Sequence, residues 1–298
     1  MVSFERASRV ANRAGQSRFM NGYSNVMNGN AQAAKSPSMM SPTICRFPGP
    51  HYRYAMSGPI TGIFLTAEWR HLAMLNYEVE PALLDRFVPA GTELDPWDGK
   101  VFVSVVGFLF LRTRVLGVPI PFHQDFEEVN LRFYVRRKAE DGWRRGVVFI
   151  KEIVPRAAIA MVARTLYHEP YIALPMSHRI EETAGRVGSA EYGWRSGGRS
   201  NRLKVVTCGD AQPLQDGSEA EFITEHFWGY NSRPGGPTLE YRVEHPRWRV
   251  YETCEAVLDC DVAGLYGKAF CQCLEGRPSS AFLAEGSEVT VRRGVRIA

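Results

Sequence analysis

The stretch Pro119–Val135, PIPFHQDFEEVNLRFYV, gathers the side chains of this 298-residue chain best suited to chemistry. Pro119 and Pro121 pinch a loop that delivers His123, Gln124 and Asp125 to a strand beginning near Glu128. Side chains on a strand alternate faces. Asn130, Arg132 and Tyr134 therefore share one face, and Val129, Leu131, Phe133 and Val135 the other. That pattern predicts a strand packing a core on one side and lining a polar cavity on the other. A guanidinium beside an amide can hold a carboxylate or another anion in bidentate fashion. The alternative is structural pairing with Glu68, Glu128 or Glu225.

Other candidates lie further along the chain. Ser218-x-x-Glu221 is a capping box, and it predicts a helix over Glu219–Phe227. Glu225 and His226 fall late in it. Glu225 is a counter-ion for Arg132 or a general base; an exposed helical carboxylate is the bland alternative. His123 could gate or titrate in its proline loop, against the ordinary reading of a solvated loop histidine. Lys151 and Glu152 interrupt an apolar strand, Val147–Val154, on opposite faces, so one of the pair faces the inside of a closed sheet. Cys45, Cys208, Cys254, Cys260, Cys271 and Cys273 do not form a C-x2-C pattern, and Cys271-x-Cys273 on a strand would aim both thiols one way. They read as free thiols of a reducing compartment, with a metal site of Cys254, Cys260, Cys271 and Cys273 as the weaker alternative. No histidine pair has metal-ligand spacing, and there is neither a G-x-S-x-G elbow nor a Gly-rich phosphate loop. Neither metal nor cofactor is called for.

The elements that must position these residues are mostly strands. Expected strands are Leu72–Val79, Val101–Arg112, Glu128–Val135, Gly146–Val154, Tyr171–Glu181, Gly188–Arg195, Arg202–Cys208, Leu239–Glu244, Arg249–Cys260 and part of Val289–Ile297. Helices are expected from Pro81 to about Phe87, from Pro155 to about Tyr167, and at Glu219–Phe227. Short links and few helices argue against an alternating β-α-β sheet. The expected fold is α+β but mostly β: an antiparallel, closed or strongly curved sheet with a few helices against it.

Residues 1–56 are rich in Ser, Asn, Gly, Ala and Met, and carry seven Lys/Arg against one acid. They read as a disordered extension, as a transit peptide or as the product of a mis-assigned start. Of the net charge of +4, these residues hold +6, leaving −2 for residues 57–298. Nucleic-acid binding loses its simplest support. The longest apolar run, Val101–Leu111, is too short to span a bilayer. Residues 60–298 are expected to form a single β-rich domain of a cytoplasmic protein, with a homo-oligomer allowed.

Several motifs occur in order: Trp69-Arg70-His71, the proline loop before Asn130–Val135, Gly146-Val147, Pro170-Tyr171, Thr224-Glu225 and His245-Pro246-x-Trp248. Over about residues 60–298 they resemble a bacterial family, number 2071 in the domain-of-unknown-function series, also called YqjF-like. That family resembles acetoacetate decarboxylase at a distance. The resemblance implies a closed β-cone or barrel around an internal cavity. It sets Arg70, before Val88-Pro89, at the place of the decarboxylase's active-site arginine. It also matches Arg164-Thr165 and Glu169-Pro170-Tyr171-Ile172 to the enzyme's lysine-bearing segment, adding Arg164 and Tyr171 to the ligand-binding candidates. Tyr171 and Ile172 stand where that segment has its lysine pair, and Thr165 where it has a glutamate, so the Schiff-base mechanism is not implied. Tyr167 and His168 lie beside the same segment.

Three functions compete on this reading. One is a barrel binding a small, anionic molecule through Arg70, Asn130 and Arg132. Another is an enzyme acting on a small carboxylate or keto-acid, with Glu225 or His123 moving protons. The last is a structural or partner-binding protein whose barrel is filled by its own side chains.

Overall fold

Period-two alternation dictates long strands, and long strands dominate the molecule. The computed structural model describes residues 62–157, 170–232 and 236–297. In chain order these give β1 (Ile63–Val79), β2 (Glu93–Leu94), β3 (Val101–Val115), β4 (Val118–Pro119), β5 (Phe126–Ala139) and β6 (Gly142–Val154). Then come β7 (Tyr171–Ala173), β8 (Met176–Thr183), β9 (Arg186–Ser196), β10 (Arg199–Pro213), helix α1 (Glu219–Thr224), β11 (Trp228–Ser232), β12 (Thr238–Glu244) and β13 (Arg249–Asp259). Two short helices, α2 (Val262–Leu265) and α3 (Cys271–Leu274), precede β14 (Ser280–Arg292) and β15 (Val295–Ile297).

Hydrogen bonding runs β12–β11–β6–β5–β3–β1–β14. One end of β14 then returns to β12, through Val243 opposite Val291 and Glu244 opposite Thr290, and the ring closes. Closure leaves no free edge within the ring. The other part of β14 pairs with β13, from which β10, β9 and β8 continue the sheet. Pairing is antiparallel apart from β6 with β11 and β6 with β7, which are parallel. The expected mostly-β, closed antiparallel sheet is therefore the observed one, with these two parallel pairings added.

Each barrel strand thus has two apolar destinations. Val129, Leu131, Phe133 and Val135 of β5 join a core with Tyr192 and Trp194 of β9 and Leu203 and Val205 of β10. Phe126 and Tyr134, on the other face of β5, join a second core with Leu72, Met74, Phe108, Phe110 and Phe222. Burying one such side chain contributes about 1.5–3 kcal/mol, so both faces of β5 are held firmly. The layers approach most closely at Gly107, where an added Cβ would lie 2.6 Å from the Tyr192 ring. Within the second core Ser104 bonds Asn76 and Tyr134, both at 2.6 Å, so these buried polar groups satisfy one another.

Local departures from the expected elements have identifiable causes. The segment Tyr171–Glu181 is two strands, β7 and β8, because Leu174-Pro175 interrupts it. Helix α1 begins as its capping box dictates, with Ser218 accepting from the Glu221 amide at 3.1 Å. It ends at Thr224, not Phe227, and the Thr224 hydroxyl donates to the Ala220 carbonyl at 2.7 Å. Cys271 and Cys273 lie on α3, not on a strand. The Pro81–Phe87 segment forms two 3-10 turns. Most of the helix expected from Pro155 to Tyr167 lies outside the described residues. No helix among them is long and apolar enough to cross a membrane.

Candidate functional site

The polar face of β5 opens onto a cavity of about 220 Å³. Its walls are chiefly apolar, including Trp69, Phe108, Phe126, Phe149 and Trp248. Strand alternation sends Glu128, Asn130 and Arg132 into it together. Glu152 arrives from β6, directly opposite Asn130, and Tyr171 from β7. His226, His245, Thr113 and Thr224 add to the polar lining, and His123 reaches the cavity from the proline loop.

Glu128 is the most tightly held of these groups. The Asn130 side-chain amide donates to one of its oxygens at 2.9 Å and the Tyr171 hydroxyl to the other at 2.9 Å. Burial pushes the Glu128 carboxyl up to about 7, against the pull of those two hydrogen bonds and of the nearby Arg132 charge. A carboxyl in such a setting exchanges its proton near neutral pH.

Among the described residues, Arg132 is the Lys or Arg side chain that lines the cavity. It donates to the Ile223 carbonyl at 3.3 Å, and its guanidinium lies 5.6 Å from the Tyr134 ring centre. Among the described residues no carboxylate oxygen comes within 4.0 Å of it. Its Nε and the Asn130 Oδ1 are buried without a hydrogen-bond partner. Desolvating a guanidinium without a counter-ion is costly, so this end of the cavity is arranged to receive an acceptor.

The two histidines are held neutral. Burial pushes His226 down to about 4, helped by the Arg145 charge, although Asp95 pulls the other way. Its Nε2 lies 3.3 Å from Asp95, which Arg145 grips at 2.6 Å behind the cavity wall. Burial likewise lowers His245 to about 4, with its ring stacked on Trp248 at 4.1 Å. Arg132 disfavours the charged form of both.

The structure brings together part of the set expected from sequence. Asn130, Arg132, Tyr171 and His123 line the cavity. Arg70 does not. A register shift between Arg70 and Ala73, with His71 at φ 56°, switches the phase of β1. Trp69 and Leu72 face inward, while Arg70 sits outside, paired with Glu68 at 3.0 Å and bonded to the Gly286 carbonyl at 3.2 Å. Glu225, the residue just past α1, is buried but outside the cavity lining, although Thr224 and His226 on either side of it are in that lining. Burial pushes its carboxyl up to about 7. Arg164, Tyr167 and His168 lie outside the described residues.

Lys151 pairs across from Leu131, and Glu152, the inward member of that pair, is buried in the cavity. No lysine lines the cavity among the described residues. Nor, among the described residues, do His, Cys, Asp or Glu side chains gather in a group of three or more that could hold a metal. The described cysteines are free thiols.

Glu128, Glu152, His226 and His245 are functional candidates that the sequence reading passed over as site residues. The signal for Glu128 was present, since it precedes Asn130 by two positions on the same strand face. His245 belongs to the His245-Pro246-x-Trp248 motif, whose spacing alone assigns it no role.

Comparison with known proteins agrees with this geometry. The barrel is similar to the enduracididine biosynthesis enzyme MppR in its pyruvate complex, with a TM-score of 0.58 and 14% identity over 85% of this chain and 96% of that one. It is also similar to acetoacetate decarboxylase from Legionella pneumophila, with a TM-score of 0.55 and 14% identity over 89% of this chain and 98% of that one. At such identities the likeness establishes the fold. In sequence, the uncharacterised protein YqjF of Bacillus subtilis is 31% identical over 118 residues, which is 39% of this chain and 47% of that protein. The match thus spans about half the length of that relative. The family model for domain of unknown function 2071, described as an uncharacterised conserved protein, matches residues 66–288. The chain belongs to that family, the YqjF-like proteins.

Proposed function

We propose that this chain binds a small molecule inside its barrel, one with an apolar body and a carboxylate head. The observation that carries the reading is Arg132, a guanidinium lining a largely apolar cavity with no carboxylate partner among the described residues. A carboxylate arriving there gains charge-assisted, bidentate hydrogen bonds where water is scarce. The raised Glu128 carboxyl favours this, because its neutral form does not repel an incoming anion. A cavity of about 220 Å³ is smaller than the roughly 300–1,000 Å³ of drug-sized sites, so the ligand is small. Two structural neighbours support the same size and head group by name: one is complexed with pyruvate and the other is an acetoacetate decarboxylase. The cavity itself weighs against a barrel filled by its own side chains.

Native mass spectrometry of freshly purified protein tests the reading first, by seeking a co-purified small molecule. Calorimetric titration with pyruvate, 2-oxobutanoate and phenylpyruvate follows. Saturable binding of at least one of them is expected. A protein that carries nothing and binds none of the three would refute the proposal.

A further inference from the structure

We propose that Glu128 moves a proton to and from carbon on a bound oxo-carboxylate, at the carbon next to the ketone, without a covalent lysine adduct. The inference rests on the carboxylate site at Arg132 and assigns a reaction to it.

The geometry comes from β5. Glu128 and Arg132 lie on one face of one strand with Asn130 between them. Same-face neighbours are about 7 Å apart along a strand, so Glu128 and Arg132, two such steps apart, are separated by about 13 Å at the backbone; both long side chains reach into the cavity, where the Arg132 charge acts on Glu128. A molecule whose carboxylate rests on Arg132 therefore presents its next few carbons toward Glu128. Both Glu128 oxygens are fixed, one by Asn130 and the other by Tyr171, each at 2.9 Å. Each oxygen keeps a second lone pair for a substrate proton.

The surroundings name the substrate class. A carboxylate is a weak base and removes a proton only from carbon acidified by an adjacent carbonyl. The apolar walls, Val106, Phe108, Phe126 and Phe149 among them, accept the remaining carbon chain. The groups that share the cavity with Glu128 are Asn130 and Arg132 on its own strand, Glu152 on β6, Tyr171 on β7, His226 and His245, and His123 from the proline loop. Burial lowers both histidines to about 4, which makes them weaker proton acceptors than Glu128, whose carboxyl burial raises to about 7. The two Glu128 oxygens are oriented by Asn130 and Tyr171.

The step balances without a further reactant. A Glu128 oxygen takes the proton from carbon, the C–H electron pair becomes the enolate C=C bond, and the carbonyl π pair moves to oxygen. That oxygen is within reach of the Arg132 guanidinium, which offsets the developing charge. The protonated Glu128 returns a proton to the same carbon, and the ketone re-forms. In heavy water the returned atom is deuterium. The route needs no lysine, in keeping with a lining that holds no lysine among the described residues.

Proton NMR of pyruvate and 2-oxobutanoate in heavy water, with the full chain, tests the proposal. Wild-type protein should speed loss of the protons next to the ketone at least tenfold over buffer. Glu128→Gln should lower the enzymatic rate by about 10²–10⁴ while calorimetric affinity stays within about threefold of wild type. Glu128→Asp, which keeps the carboxyl but shortens its reach, should retain measurable exchange and controls for misfolding, with melting curves for both variants. The wild-type rate should rise with pH toward a plateau above about 7, as Glu128 ionises. Binding without exchange, or exchange unchanged in Glu128→Gln, overturns this inference and leaves the binding site standing. Absence of binding overturns both. Exchange that stops after borohydride treatment, with a mass increase on a lysine, overturns the lysine-free route.

Discussion

Replacing Glu128 by Gln should change how stability depends on pH. Desolvation raises the Glu128 carboxyl from 4.5 to about 7 in the folded protein. Between those values the folded chain binds more protons than the unfolded one. Stability contributed by the neutral acid is therefore present at low pH and is lost as pH rises through the folded value. At about 1.4 kcal/mol per pH unit, the span from 4.5 to about 7 amounts to about 3 kcal/mol. A Gln side chain does not titrate and suffers no such loss. The urea-unfolding free energy of Glu128→Gln minus that of wild type should thus grow by about 2–3 kcal/mol from about pH 5 to about pH 8, in favour of the variant. The difference at the acid end absorbs the cost of fitting an amide against Asn130 and Tyr171. His226, His245, Glu225 and Asp95 are present in both proteins, so their titrations largely cancel. A difference that stays flat over this range would mean that Glu128 is ionised throughout, and the desolvation argument would fail.

Tyr171→Phe removes a donor that stabilises the Glu128 carboxylate. With that substitution present in both proteins, the midpoint of the pH-dependent stability difference between Glu128→Gln and unchanged Glu128 should move upward; a downward move would contradict the assigned hydrogen bond. Gly107→Leu places side-chain atoms where the Tyr192 ring packs, and should destabilise the fold by about 1–3 kcal/mol in chemical denaturation; an unaffected protein would show that the layers do not meet as described. Borohydride added with acetoacetate or pyruvate should trap no adduct on Lys151, which pairs outside the cavity lining; a stable mass increase on the Lys151 peptide would overturn that.

Where alternation runs unbroken, the sequence was readable. From Val129 to Val135 the apolar and polar sets fall on opposite faces as their spacing requires, because β5 keeps its pleat through these residues. The short-range capping signal of Ser218 likewise placed the start of α1. Legibility failed where one residue shifted the phase. The irregularity at Arg70–Ala73 turned Arg70 away from the cavity, and the shift between Leu131 and Arg132 in the pairing with β6 decided between Lys151 and Glu152. Such irregularities carry little local sequence signature. Barrel closure joins β12 to β14 through Val243 and Val291, which are remote in sequence and beyond the reach of any local pattern. Desolvation of Glu128 is equally non-local, since it arises from side chains on several strands.

The central claim is that Arg132 makes this cavity selective for a carboxylate. Calorimetric titration of wild type and Arg132→Met with pyruvate and its neutral analogue pyruvamide tests it most directly. Wild type should bind the carboxylate at least tenfold more tightly than the amide, a preference of about 1.4 kcal/mol or more. Arg132→Met should lose that preference while its affinity for the amide stays near the wild-type value. A carboxylate preference that survives in Arg132→Met would contradict the account.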